Sequence, residues 1–459
     1  MMSGHLPDGK VLAYGTATAS YQVEGSTNAD GRGPSIWDTF AAKPGTIVDG
    51  SDGSVACGSY ERLDDDLALL GELGVAFYRF SIAWPRIQPD GQGRIEPRGF
   101  DYYDRLVDGL LDRGVAPMAT LYHWDLPQPL EDAGGWPARD TALRFADYAT
   151  TVHERLGDRV QLWATLNEPW CSAFLGYAAG KHAPGREDGD AAYRAAHHLL
   201  LGHGLAAKRL HESGAEGVGI VLNLTPVWPE TDEANGAARV VDAIHNRVWL
   251  DPLVHGRYAD DLLDLAAPLR DDDVVRDGDL ATVAGSLDWL GVNYYTPARV
   301  AVADPDAGDE GGLGQMTQAY PGLADAAFRP RAPRTEMGWE IEPAGLEDLL
   351  VQTAGRVPGV PLLVTENGAA FGDDERDADG AIVDPDRIDY LDTHIAAVER
   401  ARQGGADVRA YIAWTLLDNF EWAEGYTKKF GLVEVDPETL RRIPKASYRW
   451  YADHIRATP

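Results

Sequence analysis

The run Leu162-Trp-Ala-Thr-Leu-Asn-Glu-Pro169 is apolar but for one threonine until it stops on an amide, a carboxylate and a proline. A short apolar run closed by a breaker predicts a strand buried on both faces, as in a parallel sheet. Seven further runs share that form: Val11–Thr16, Phe77–Ser81, Pro117–Leu121, Val218–Asn223, Trp289–Asn293, Leu362–Thr365 and Arg409–Trp414. Between them lie amphipathic helical patterns at Tyr60–Leu73, Phe100–Arg113, Thr141–Leu156, Ala191–His211, Leu346–Thr353 and Asp386–Arg402. Eight strands interleaved with helices predict an α/β fold, a (β/α)8 TIM barrel that takes residues 1–459 as one catalytic domain. The chain exceeds the ~250 residues typical of that fold, so several βα loops must be enlarged. The longest, Ala303–Glu336, is rich in Asp, Gly, Pro and Ala and reads as a mobile surface loop. Splitting the chain there would leave two unclosed parallel sheets.

Polar and aromatic residues gather where each strand run ends. Ser20-Tyr21-Gln22 follows the first, His123-Trp124 the third, Asn167-Glu168 the fourth, Asn293-Tyr294-Tyr295 the sixth, Glu366-Asn367 the seventh, and Asp418 to Trp422 the eighth. Barrel enzymes build their sites at the C-terminal mouth, so this placement predicts one converging site.

The bulk numbers narrow the partners. A formal charge of −32 repels phosphate backbones and anionic membranes, which argues against nucleic-acid and membrane partners. Thirteen Trp and nineteen Tyr supply flat apolar rings with polar tips, suited to sugars, although most aromatics serve packing. Cys57 and Cys171 are the only cysteines, with no disulfide framework and no zinc spacing. No secretory signal pattern and no apolar run of about 18 residues is present, so a cytoplasmic location is expected. His197, His198 and His203 fall in an Ala/Leu helix pattern and read as packing rather than metal ligands. Gly31-Arg-Gly33 and Gly91-Gln-Gly93 lack any nucleotide-binding context.

A lone Glu at a strand end is usually a solvated terminus. Two, on strands four and seven, face each other across a barrel mouth, and a pair of carboxyls can supply acid, base and nucleophile without cofactor or metal.

The motifs around them resemble glycoside hydrolase family 1, the β-glucosidase family, nearly end to end. They are Thr18-Ala-Ser-Tyr-Gln-Val-Glu-Gly25, Tyr78-Arg-Phe-Ser-Ile-Ala-Trp-Pro-Arg86, Thr120-Leu-Tyr-His-Trp-Asp-Leu-Pro127, Thr165-Leu-Asn-Glu-Pro169 and His182-Ala-Pro-Gly185. Asn246-Arg-Val-Trp-Leu-Asp-Pro252, Leu290-Gly-Val-Asn-Tyr-Tyr295, Met337-Gly-Trp-Glu-Ile341, Val364-Thr-Glu-Asn-Gly368 and Trp414-Thr-Leu-Leu-Asp-Asn-Phe-Glu-Trp422 continue the series in order. The resemblance implies a retaining β-glycosidase, most simply a β-glucosidase, with Glu366 as nucleophile and Glu168 as acid/base. It implies that Arg79 and Tyr295 hold the nucleophile, with Asn293 beside them, and that Asn167 reads the 2-hydroxyl. Gln22, His123, Trp124, Glu421 and Trp422 would bind the nonreducing sugar, Trp414 would stack on it, and Trp339 and Phe430 would line the site further out.

The expected substrates are β-glucosides and cello-oligosaccharides, with galactose or fucose tolerated. A 6-phosphate is disfavoured because Glu421 would repel it. Glu168 should be protonated at rest, aided by the charge of Glu366, and should lose its proton once that charge is esterified. Ala56-Cys-Gly-Ser-Tyr60 departs from the family, which carries Asp and His at Gly58 and Ser59. A non-catalytic sugar-binding barrel and a glycosyl-transferring enzyme are the rival readings. Oligomeric state is not legible.

Overall fold

The computed structural model describes residues 6–304, 311–312, 315–378 and 380–458. Eight parallel strands close into a barrel: β1 (Ala13–Ala17), β2 (Phe77–Ser81), β3 (Ala116–Tyr122), β4 (Leu162–Asn167), β5 (Val218–Leu222), β6 (Trp289–Asn293), β7 (Leu362–Asn367) and β8 (Val408–Trp414). Each pairs with its chain neighbours, and closure runs from Ala13 opposite Ala410 to Ala17 opposite Trp414. The strands on either side of the long insertion therefore share one sheet. β2, β3, β4, β6 and β7 are buried along their whole length, which explains their lack of polar alternation.

The six predicted helices form with ends shifted by a few residues: α1 (Leu63–Leu73), α2 (Pro97–Leu111), α3 (Arg139–Leu156), α4 (Gly189–Glu212), α5 (Pro343–Arg356) and α6 (Pro385–Gln403). α1 ends on Gly74 at φ 76°, a left-handed conformation that costs glycine little. A C-terminal helix, α7 (Ala446–Ala457), was not expected from the sequence. It is tied to the barrel wall by Tyr451, whose hydroxyl donates to the Gly15 carbonyl at 2.9 Å, and to α1 by Tyr448, which donates to Leu69 at 2.6 Å.

One expectation is corrected. Ala303–Glu336 is not simply a mobile surface loop. Among its described residues, Ala326–Phe328 pairs antiparallel with Ala298–Val302, which in turn pairs with Val227–Pro229. Ala319, Tyr320 and Phe328 are buried. Arg299, within this sheet, makes a two-pronged ion pair with Glu340, both contacts 2.8 Å. Such pairing is non-local, and three-residue strands leave no periodicity to read. Residues 305–310 and 313–314 lie outside the described set.

The two glutamate-bearing strands both break register as they reach the mouth. β4 slips against β5 between Ala164 and Asn167, and β7 slips against β6 between Val364 and Glu366. Such irregularities re-aim side chains, here at the last residues of each strand.

Candidate active site

At the C-terminal mouth lies a cavity that opens to solvent. Its wall carries Glu168, Glu366, Asn293, Tyr295, Glu421 and His123, with Trp124, Trp339, Trp414, Trp422 and Phe430 as its predicted aromatic lining. Gln22, Arg79 and Asn167 stand behind that wall, fully buried, and act on it through hydrogen bonds.

Glu366 accepts on both oxygens. Arg79 Nη1 donates to Oε1 at 2.5 Å and the Tyr295 hydroxyl to Oε2 at 2.7 Å. Burial first, and then the charge of Glu366, holds the Tyr295 phenol well above its ordinary value, so it remains a donor. Arg79 is shared: Nη2 donates to Asn167 Oδ1 at 2.6 Å, and Nε to Thr120 at 3.1 Å. The guanidinium thus links the ends of β2, β4 and β7 in one plane.

Glu168 is held differently. Asn293 Nδ2 donates to Oε1 at 2.8 Å and the Cys171 thiol to Oε2 at 3.2 Å, with no cation in contact among the described residues. Burial is the largest cause, and the nearby charge of Glu366 the second, in pushing its carboxyl well above the ordinary range. The expectation had named only the charge. Glu168 itself sits at φ 44°, and Trp124 and Trp422 at φ 73° and 50°. Left-handed backbone at such residues costs about 1–3 kcal/mol each and persists where surrounding contacts over-determine it. Two of those contacts are the Trp124 indole donating to the Asn167 carbonyl at 2.9 Å and the Trp422 ring stacked on His123 at 5.8 Å.

Asn167 carries the network onward. Arginine can only donate, so Asn167 Oδ1 must face Arg79, and its Nδ2 faces His123 Nε2 at 3.0 Å. Burial and then the Arg79 charge push the His123 imidazole well below its ordinary value. A neutral ring that accepts at Nε2 carries its proton on Nδ1. His123 also stacks on Trp414 at 5.9 Å.

Gln22 Nε2 donates to Glu421 Oε2 at 3.2 Å and to the Phe420 carbonyl at 3.0 Å, while its side-chain Oε1 is buried without a partner among the described residues. Glu421 is pushed up to about 8 by burial, then by Glu366 and Glu168. This raised proton affinity makes phosphate repulsion by Glu421 weaker than its formal charge suggests.

The Glu-Asn-Gly order has a steric cause. A Cβ on Gly368 would fall 1.8 Å from the Trp414 carbonyl, so only glycine lets β7 turn beside β8. At the departure from the family pattern, Gly58 adopts φ 63° and Ser59 is buried. Neighbouring Cys57 donates to the Asp418 carbonyl at 3.1 Å, so the loop stays docked against the mouth.

Several wall residues had not been singled out: Trp170, Cys171, His182, Asn223, His245 and Glu424 among them. Trp170 and Cys171 directly follow the Asn-Glu-Pro turn, and Asn223 closes the fifth strand run, so adjacency was the available signal. The α4 histidines pack as expected. His203 bonds Thr165 and Ser286, His197 bonds Tyr258 and Asp279, and His198 bonds the Trp136 carbonyl.

Comparison with known proteins agrees with this geometry. A family model described as Glycosyl hydrolase family 1 matches residues 3–458. The chain is 48% identical to thermostable β-glucosidase B of Thermobispora bispora, over 98% of this chain and 90% of that one. It is 48% identical to a bifunctional β-D-glucosidase/β-D-fucosidase of Bifidobacterium breve, over 97% and 98%. Its fold is similar to the crystal structure of the psychrophilic β-glucosidase BglU of Micrococcus antarcticus, with TM-score 0.93, 45% identity and 97% coverage of each chain.

Proposed function

The chain belongs to glycosyl hydrolase family 1, and on that footing we propose that Glu366 is the nucleophile and Glu168 the acid/base of its reaction. The activity is that of a retaining β-glucosidase. The observation that carries the assignment is the asymmetry of the two carboxyls. One accepts from a buried guanidinium and a phenol; the other accepts from an amide and a thiol, with no cation in contact among the described residues, and burial and its neighbour raise its proton affinity.

In the first step a Glu366 oxygen bonds to the anomeric carbon as the bond to the aglycone oxygen breaks, and the Glu168 proton passes to that oxygen. The aglycone leaves as a neutral alcohol. In the second step Glu168 takes a proton from water, the water oxygen attacks the anomeric carbon, and the ester to Glu366 breaks. Two inversions give β-glucose. Asn167, held by Arg79, is proposed to donate to the 2-hydroxyl and to strengthen that bond as charge develops.

The site is proposed to take terminal β-glucosyl groups of β-glucosides and cello-oligosaccharides, with fucosyl and galactosyl groups accepted. Glu421, held by Gln22, can engage the 4- and 6-hydroxyls together and so separates epimers weakly. The chain is proposed to work as one catalytic unit in the cytoplasm. Both cysteines are free and buried, which suits a reducing compartment. No helix among the described residues is long and apolar enough to cross a membrane.

Proton NMR of nitrophenyl β-glucoside hydrolysis tests the reading. β-Glucose should appear first and the α-anomer only by mutarotation. Initial α-glucose would overturn it.

A further inference from the structure

Burial raises the proton affinity of Glu168, yet the second step needs Glu168 as an anion. Donors that touch the carboxyl favour that anion in addition to the loss of the Glu366 charge. Two donors touch the carboxyl, Asn293 at 2.8 Å on Oε1 and Cys171 at 3.2 Å on Oε2. The thiol is itself directed: Asn223 Nδ2 approaches Cys171 Sγ at 3.6 Å. An amide N–H can only donate, so the sulfur accepts from Asn223 and its S–H turns to Glu168. All three residues line the same cavity, and Cys171 opens the π-helical segment Cys171–Ala178 immediately after the glutamate turn.

We infer that Cys171, oriented by Asn223, is a positioning residue that donates to Glu168 Oε2 and stabilises its ionised form in the deglycosylation step. This rests on Glu168 being the acid/base and adds how that group is tuned. The thiol is suited to the task because burial, and then the charge of Glu168, keeps it protonated, so it stays a donor and does not compete as a nucleophile. Titratable groups on or behind the same wall include Glu366, Arg79, Tyr295, Glu421, Glu424, His123, His182 and His245, and the hydrogen bonds that reach Glu168 Oε2 among the described residues come from Cys171 alone. A carboxylate oxygen that loses a weak donor holds its proton more tightly.

The test compares Cys171→Ala and Cys171→Ser on two aryl glucosides. With a dinitrophenyl glucoside, whose departure needs no acid, Cys171→Ala should lower kcat about five-fold, the worth of one hydrogen bond. The acidic limb of that kcat and the basic limb of kcat/KM on nitrophenyl glucoside should both move to higher pH. Cys171→Ser, a stronger donor, should restore both limbs. Melting temperatures of the three proteins separate folding defects from this effect. Unmoved limbs in Cys171→Ala, or serine behaving like alanine, overturn the inference. In parallel, azide, which needs no base, should rescue Glu168→Ala. Rescue together with unmoved Cys171 limbs rejects the cysteine role alone, whereas absence of rescue rejects the acid/base assignment and the cysteine role with it.

Discussion

Arg79 and Glu366 form an ion pair at 2.5 Å in which the two side chains are 1% and 3% exposed. Such a pair is a poor device for stability, because desolvating both charges offsets most of their attraction. Its value lies in presenting a fixed anion at the barrel mouth. Arg79→Met should leave that carboxylate buried without its cation. Stability should fall by about 3–5 kcal/mol, and kcat by about 10²–10³-fold, as for loss of one preorganised donor. Denaturant unfolding and steady-state rates on nitrophenyl glucoside check both. A variant with near-normal kcat would remove Arg79 from the mechanism.

Glu168→Ala should separate the two steps by leaving group. On aryl glucosides with poor leaving groups the loss in kcat/KM should be about 10²–10⁴-fold. On activated phenols, which depart without a proton, it should be far smaller. Equal losses across the series would contradict an acid role.

The pH dependence has a definite sign. Glu168 must be protonated for the first step, and burial followed by the Glu366 charge raises its proton affinity. The basic limb of kcat/KM, set by Glu168, should therefore lie above the ordinary Glu range near about 4.3, with activity falling as pH rises through the raised value. A basic limb in the ordinary range would mean that Glu168 is solvated in the working enzyme.

Away from the mouth, Asp279 ties α3 to α4 through Arg139 at 2.5 Å and His197 at 3.1 Å. Burial would raise its proton affinity, but hydrogen bonds from Arg139, His197 and the Arg276 amide bring it below the ordinary range. Stability from a lowered carboxylate is present above the unfolded value of about 3.9 and is lost as pH falls through the folded one. Asp279→Asn should cost about 1.5–3 kcal/mol at pH 7, and the gap to wild type should narrow under acid. Urea unfolding at the two pH values measures this.

The barrel was legible because parallel strands covered on both faces write themselves as unbroken apolar runs, as at Leu162–Leu166 and Trp289–Asn293. The site was legible because every strand end breaks that pattern on a polar or aromatic residue. What stayed hidden is what depends on contacts distant in sequence. The small sheet joining Val227–Pro229, Ala298–Val302 and Ala326–Phe328 has no local signature. Nor could the chain of bonds from Asn223 through Cys171 to Glu168 be seen, since a cysteine beside a strand end reads as ordinary core. The dominance of burial over charge at Glu168 is a property of the folded mouth and has no sequence trace.

The most direct test of the two-step account is mass spectrometry of the enzyme after reaction with an activated 2-deoxy-2-fluoroglucoside. The fluorine weakens the oxocarbenium-like transition state of both steps, while the reactive leaving group still lets the first proceed, so an ester intermediate accumulates. The account predicts one glucosyl label per chain, on the peptide that carries Val364-Thr-Glu-Asn-Gly368, and none in Glu366→Ala. A label on Glu168, or inactivation without any covalent label, would contradict it.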